Sequence, residues 1–357
     1  MGSVKDLKVI KKIEHSEQGE GIFTFSDRYS VFDWGKMPND IPGKGAALCM
    51  MSAFNFEMLE RNGIPTHYMG VLDSSGKLVN TTDLTEPSNQ MMVKLSRVKK
   101  PEFKDEGYNY TYFVDNRGNI NNFVVPLEVI YRRGSPKGSS LFRTISKLEA
   151  ESNAGELKRL LEKYGLKEKP KPGDLFPITG FDFTTKFEST DRNLDDMNAY
   201  MISGLSSGDF KEMEELRNKV VNLISGRAGE VGFIDYDGKH EYAFFNKVLL
   251  VDVVGTFDEN RFMFNEEQVS KEFLRQFYQK NNGIWFDACV KAKEEAKEGG
   301  VEDWKSLVKI KPMVLNGSLV GLIGEMYMSG SDRYTGLNLF KKKSLEEVMD
   351  DLRPYRD

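Results

Sequence analysis

The pentapeptide Asp237-Gly238-Lys239-His240-Glu241 sets a carboxylate, an ammonium and a carboxylate at alternate positions. In a strand, alternate residues share a face, so the three charges would stand in one row. Such a row suits Mg²⁺ and a polyphosphate, because carboxylates bind the hard cation and the lysine offsets phosphate charge. The same residues also read as a solvated hairpin tip with an exposed ion pair. Asp252 lies in the apolar stretch KVLLVDVVGT. A carboxylate there must pair with a cation or metal, or sit at an edge. Arg261, in TFDENR, can reach a phosphate or cap a turn. A second feature is RRGSPKGSS, residues 132–140. Gly134 and Gly138 permit close backbone approach, and N–H groups together with Ser139 can cradle an anion. It is not a Walker loop, because no Gly-Lys-Ser/Thr closes it. IPGKG, residues 41–45, has a similar glycine-lysine character.

The composition narrows the chemistry further. Only three histidines (His15, His67, His240) and two cysteines (Cys49, Cys289) occur in 357 residues. A histidine triad, a multi-histidine metal site and a cysteine zinc site are all disfavoured. Carboxylates, lysines and arginines must carry the reaction. A net charge of −5 argues against a general nucleic-acid binder. The start MGSVKDLKVI lacks the apolar core of a signal peptide, and Asp6 stands where a myristoylation signal needs Ser or Thr. No apolar run reaches membrane-spanning length. A soluble cytoplasmic protein is expected, with free thiols of a reducing compartment.

The elements that must position these residues read as follows. Residues 1–125 are mostly β, interrupted by a helix in GAALCMMSAFNFEMLERNG, where Leu48, Met51, Phe54 and Met58 recur at helical spacing and Gly63 stops it. YTYFVDNRGNINNFVVP reads as a hairpin turning at Asn116–Asn119. Residues 146–164 and 191–225 are helical by period, with KEKPKPGD between them as a linker or lid base. A second strand-rich block runs from Gly229 to Thr256, in which DYDGKHE can form a tight turn. Residues 263–294 and 303–310 are again helical. A cleft between a β-rich part and an α/β part is the natural place for a small ligand.

In chain order these pieces resemble the SAICAR synthetase (phosphoribosylaminoimidazole-succinocarboxamide synthase) family. GSVKDL (Gly2–Leu7) is similar to its opening glycine-lysine motif, and SDRYSVFD (Ser26–Asp33) followed by IPGKG to its most specific signature. PLEVIYRRGSPKGS, FTTKFE with Asp191 behind it, DGKHE, VDVVGTFDENR and SKEFLRQF complete the series, so the motifs run in register over residues 2–277. The chain departs from the pattern at Ser3, where relatives carry a lysine, and at Val253, which replaces the second acid of an Asp-Glu pair. From about Gln279 it matches no motif of the family.

The resemblance implies an α+β fold of two lobes around an ATP cleft, similar to ATP-grasp and kinase-like folds, with a C-terminal helical extension. The implied division is 1–125, an N-terminal ATP-binding lobe; 126–277, an α/β lobe with substrate and metal sites; and 278–357, the extension, packed on the second lobe. The implied activity is ATP-dependent ligation of L-aspartate to carboxyaminoimidazole ribonucleotide through an acyl phosphate, with ATP and Mg²⁺, in a homo-oligomer. A diverged paralogue acting on another carboxylate and amine, or a non-catalytic nucleotide-binding module, are the alternatives. Retention of Lys239, Glu241 and Asp252 argues against the last.

By the family's pattern, Lys239, Asp237 and Arg133 are the catalytic candidates. Lys5 and Lys239 would contact ATP phosphates, and the backbone around Val125 and Pro126 would border adenine. Glu241 and Asp252, with Glu128, would hold the metal. Arg133, Ser139 and Arg261 would bind the ribonucleotide phosphate, with Arg132 and Lys137 as rim charges. Lys186 and Asp191 would lie on the aspartate side, and Ser26, Asp27 and Lys44 would contact substrate.

Overall fold

The computed structural model describes residues 4–104, 107–299, 301 and 303–356. Gly2 and Ser3 of the opening motif therefore lie outside the described residues. The chain begins with β1 (Lys5–Lys11) and β2 (Gly19–Phe25). In β2 the residues Gly19, Gly21, Phe23 and Phe25 alternate inward, the period of a half-buried strand. Helix α1 (Lys44–Arg61) follows, then β3 (Tyr68–Leu72), β4 (Leu78–Val79) and β5 (Gln90–Leu95). These strands form one antiparallel sheet in the order β1-β2-β5-β3-β4, with α1 packed against it. The start of α1 takes its cap from a distant loop: Asp27 accepts hydrogen bonds from the N–H groups of Gly43 and Gly45 at 3.2 and 2.9 Å. That supplies partners for donors the helix itself leaves free.

A small hairpin, β6 (Glu102–Lys104) with β7 (Gly107–Asn109), leads to the short helix α2 (Thr111–Asp115). The hairpin expected at 116–119 is thus not formed. The residues before that turn are helical, because Asn109 caps Thr111 N–H at 2.8 Å and Gly118 N–H is drawn to the Gly204 carbonyl at 3.0 Å.

The second sheet starts with β8 (Phe123–Gly134). Helices α3 (Ser140–Ala150) and α4 (Ala154–Lys163) precede β9 (Leu175–Thr185) and β10 (Asn193–Leu194). Helices α5 (Asp196–Ser203) and α6 (Ser207–Glu230) lead into β11 (Phe233–Phe244), then β12 (Val248–Val251), β13 (Asn260–Phe264) and β14 (Glu267–Gln268). The order is β10-β9-β8-β11-β13-β14, with β12 paired to the far half of β11. DYDGKHE is therefore neither a turn nor a hairpin tip but the middle of a twelve-residue central strand. Residues 260–264 and 267–268, partly expected as helix, are strands joined by a turn.

Helices α7 (Lys271–Asn281), α8 (Gly283–Gly299), α9 (Gly317–Thr335) and α10 (Leu345–Leu352) complete the chain. Helix α9 packs on α1, so the C-terminal segment lies against the first 125 residues as well as the later ones. One continuous apolar core runs from Phe23 through Val125, Phe183, Val220 and Phe262 to Leu352.

Candidate active site

The register of β8, β11, β12 and β13 builds the site. Glu241 faces Glu128 on β8 and Val251 on β12, while Asp237 faces Arg132 on β8 and Arg261 on β13. Because side chains alternate along a strand, Asp237, Lys239 and Glu241 lie in a row on one face. Lys239 is the hub: its Nζ lies 3.0 Å from Glu128, 3.4 Å from Glu259 and 3.6 Å from Glu241. Burial would lower its proton affinity, but Glu259, Glu241 and Glu128 outweigh that and hold the ammonium well above the ordinary lysine range.

Asp252 is not inside a strand. It comes directly after β12, in the left-handed region at φ 70°, and it pairs with Lys5 of β1. Burial would raise its proton affinity, yet Lys5 and Lys186 hold it well below the carboxylate range. Lys186 is ion-paired with Glu241. Burial and then the neighbouring Asp252 push Glu241 upward. The acids Glu128, Glu241, Glu259 and Asp252 and the ammonium groups Lys5, Lys186 and Lys239 thus form one interleaved network across β1, β8, β11 and the loops around them. Among the described residues no three carboxylates, histidines or cysteines form a ready metal cage. The three expected metal ligands instead hold ammonium groups.

A second, cationic corner lies at the other end of the row. Arg261 grips both Asp237 oxygens with two of its guanidinium nitrogens, Nε at 2.8 Å and Nη2. Arg133 bonds the Asp235 carbonyl at 3.2 Å. Ser139 caps α3 by accepting from Leu141 N–H at 3.3 Å, so the helix N-terminus opens on this corner. Gly134 is required here, since a Cβ would come 2.5 Å from the Asp174 carbonyl. The KEKPKPGD segment is bound to this loop: Ser135 N–H and Oγ donate to the carbonyls of Asp174 and Lys171 at 2.9 and 2.7 Å. Arg132 was expected at the rim. It is half-buried, bonds Ser140 Oγ at 3.2 Å, and its buried Nε has no partner. Lys137 is exposed, as a rim charge would be.

Other expected contacts sit elsewhere. Lys44 is wholly buried and ion-paired with Asp258 at 2.7 Å, which corrects its placement against substrate. Both Asp27 oxygens serve the start of α1, and Ser26 Oγ donates to the Val4 carbonyl at 2.8 Å, so both residues hold the backbone. The Val125 side chain is in the core, and the Pro126 carbonyl accepts from Lys186 N–H at 3.2 Å. Asp191 is exposed on the loop after β9, within electrostatic reach of Lys239 and Lys186. Val253 is buried, so an acid at that position would enter the core. His67 and His240 are buried, and desolvation pushes them down to about 4 and about 3, so both are neutral at pH 7.

The sequence pattern of the SAICAR synthetase family matches residues 8–289. A protein of Archaeoglobus fulgidus, whose name assigns it provisionally as a phosphoribosylaminoimidazole-succinocarboxamide synthase, is 40% identical over 355 residues, 99% of both chains. The chain belongs to the SAICAR synthetase family. A phosphoribosylaminoimidazole-succinocarboxamide synthase of Thermoplasma volcanium is 31% identical over 288 residues, covering 78% of this chain and 81% of that one. Among solved structures, the SAICAR synthase of Saccharomyces cerevisiae complexed with SAICAR aligns with TM-score 0.58 at 23% identity, covering 94% of this chain and 93% of that one. A SAICAR synthetase in complex with ADP aligns with TM-score 0.51 at 21% identity, over 88% and 99%. The mixed helix-and-sheet fold is that of the SAICAR synthetases.

Against this family frame, sequence reasoning missed three features. Glu259 closes the carboxylate ring around Lys239, and its position two residues before Arg261 was the available signal. The apolar residues Ala243, Leu249 and Val251 cluster beside Glu241 and Asp252, continuing the charged row as an apolar floor. Their alternation was visible, but not which face it would line. The buried group Lys44, Asp258 and Tyr327 had no sequence signal, since its members are far apart in the chain.

Proposed function

We propose that the chain is an ATP-dependent carboxylate–amine ligase that joins L-aspartate to carboxyaminoimidazole ribonucleotide, forming SAICAR in purine biosynthesis. The names carried by its relatives support the reaction. One observation carries the assignment to this site: on a single sheet face, a lysine–carboxylate network lies at one end and an arginine–helix-terminus corner at the other. The first suits a polyphosphate, and the second a monophosphate ester.

In this reading the ribonucleotide carboxylate attacks the γ-phosphorus of ATP, ADP leaves, and an acyl phosphate forms. The aspartate amine then attacks the acyl carbon, phosphate leaves, and the nitrogen gives up a proton. Positioning and charge neutralisation suffice, without a covalent protein group. Lys5 and Lys239 would meet ATP phosphates, with the base over Ala243, Leu249 and Val251 beside the Val125 backbone. Arg133, Ser139 and Arg261 would take the ribonucleotide phosphate, and Lys186 and Asp191 would face aspartate.

The donor set fits Mg²⁺: Glu241 and Asp252 are hard oxygen ligands whose mutual repulsion a divalent cation would relieve. Bound there with phosphate oxygens, it would neutralise charge on the transferring phosphoryl group. Two lobes around the ATP cleft, of the ATP-grasp or kinase-like type, divided near residues 125 and 277, complete the proposal. So do a C-terminal helical extension, a homo-oligomeric state and a cytoplasmic location.

The test is a coupled ADP-release assay with the carboxylated ribonucleotide, scanning amines. Release that needs both Mg²⁺ and aspartate supports the reading. Tight ATP binding without ribonucleotide-dependent turnover would mean a diverged paralogue, the outcome that Val253 in place of an acid makes worth testing.

A further inference from the structure

The loop from Asp252 to Arg261 carries both ends of the site. Asp252 pairs with Lys5, Glu259 meets Lys239, and Arg261 grips Asp237. Between those ends it is held by residues with no part in the reaction above. Asn55 Nδ2 donates to the carbonyls of Val254 and Gly255 at 3.2 and 3.0 Å, and Tyr334 donates to Asn55 Oδ1 at 2.8 Å. The Phe257 ring lies so close to Gly330 that a Cβ there would come within 2.7 Å. Asp258 accepts from Tyr327 Oη at 2.8 Å with one oxygen and from Lys44 Nζ at 2.7 Å with the other.

Tyr327, Gly330 and Tyr334 stand three and four residues apart on α9, which puts them on one face of the helix. That face is seated firmly. At Gly324 a Cβ would come 2.4 Å from the Pro42 carbonyl, and Ser331 Oγ donates to the Ala47 carbonyl at 3.2 Å. Helix α9 therefore touches the 41–45 loop and the 252–261 loop together, and Lys44–Asp258 joins the two. Burial would raise the proton affinity of Asp258, but Lys44 and Lys271 hold it below the usual carboxylate range. The carboxylate is thus charged and depends on its few bonds.

We propose that α9 is the positioning element of the active site, and that Tyr327, acting through Asp258, fixes Glu259 and Arg261. Tyr327 touches no substrate; it is a positioning residue. The kinetic part of this proposal rests on the ligase reading, and the exchange part does not.

The test uses Tyr327→Phe in the full chain. Amide hydrogen exchange over residues 253–261 rises about tenfold, the factor expected from losing one hydrogen bond to a charged group, while α1 and β11 keep their protection. The ribonucleotide KM rises by a similar factor through Arg261, and the ATP KM rises with it, because Glu259 holds the Lys239 that would meet the ATP phosphates. Loop exchange unchanged, or exchange raised equally in α1 and β11, would mean that Tyr327 only fills space, and the proposal would fall. A lower kcat with both KM values unchanged would also overturn it. Should Tyr327→Phe not fold, Tyr334→Phe probes the same brace through Asn55 with the same readouts. If the unsubstituted protein shows no aspartate-dependent turnover, the ligase reading fails, and the exchange comparison still decides on the brace.

Discussion

Asp235→Asn offers a quantitative check on the buried chemistry behind the site. Asp235 is 1% exposed and accepts from Tyr131 Oη at 2.7 Å and Ser225 Oγ at 2.8 Å, both at one oxygen, Oδ2. Its other oxygen meets Asn260 Nδ2 at 3.2 Å. Burial pushes its pKa up from 3.8 to about 6, against the hydrogen bonds that lower it. The folded protein therefore holds this proton more tightly than the unfolded chain. The group's contribution to stability is full below about pH 4 and is lost as pH rises through 4 to 6. A shift of ~2 units corresponds to ~3 kcal/mol at 1.36 kcal/mol per unit. Asparagine is neutral, and its oxygen can keep the bonds from Tyr131 and Ser225. Its amide replaces the oxygen facing Asn260, whose own Oδ1 is buried without a partner and can turn to accept. Urea unfolding from pH 4 to 8 should show the variant gaining on the parent by up to ~3 kcal/mol across that window, then running parallel to it. Arg133 bonds the Asp235 backbone, so the ribonucleotide KM should not change. Identical pH slopes in the two proteins would refute the reasoning.

Three further outcomes follow from the geometry. Asp252→Asn should abolish turnover at every Mg²⁺ concentration with the circular dichroism spectrum unchanged, because asparagine tolerates the left-handed φ of 70° but removes the charge facing Lys5; unaltered turnover and metal dependence would make Asp252 structural. Arg133→Ala should raise the ribonucleotide KM by about a hundredfold, the scale of a charge-assisted phosphate contact, and leave ATP affinity in place by calorimetry; equal loss of both would move Arg133 to the nucleotide. Gly324→Ala should lower stability by ~1–3 kcal/mol in thermal unfolding, because the added Cβ meets the Pro42 carbonyl at 2.4 Å and this overpacking exceeds alanine's better helix propensity; an unchanged or raised Tm would mean that α9 shifts freely on the 41–45 loop.

The row Asp237, Lys239, Glu241 was legible because strand alternation is a local rule, and β11 obeys it. The same rule applied one step earlier would have put Asp235 in that row. A bulge between Asp235 and Asp237, visible only in the pairing with β13, turns Asp235 into the core instead. The turn expected within DYDGKHE failed for a related reason. Asp and Gly favour turns by local propensity, whereas pairing with β8 on one side and β13 on the other keeps β11 extended.

The amino-acid sequence by itself determined which groups are available: an acid–lysine–acid row, a glycine- and arginine-rich loop, few histidines, and an ordered set of motifs that mark the SAICAR synthetase family. Those features depend on residue types and on spacing along one strand or loop, so they survive without a fold. Partner choice was decided only by the tertiary structure. Lys44 became an internal ion pair with Asp258, Lys186 met Glu241, Lys5 met Asp252, and α9 closed on the 252–261 loop. Each of these joins residues dozens to hundreds of positions apart. Burial and charge neutralisation select such pairs only after the two sheets and the C-terminal helices have packed, and no local pattern encodes that.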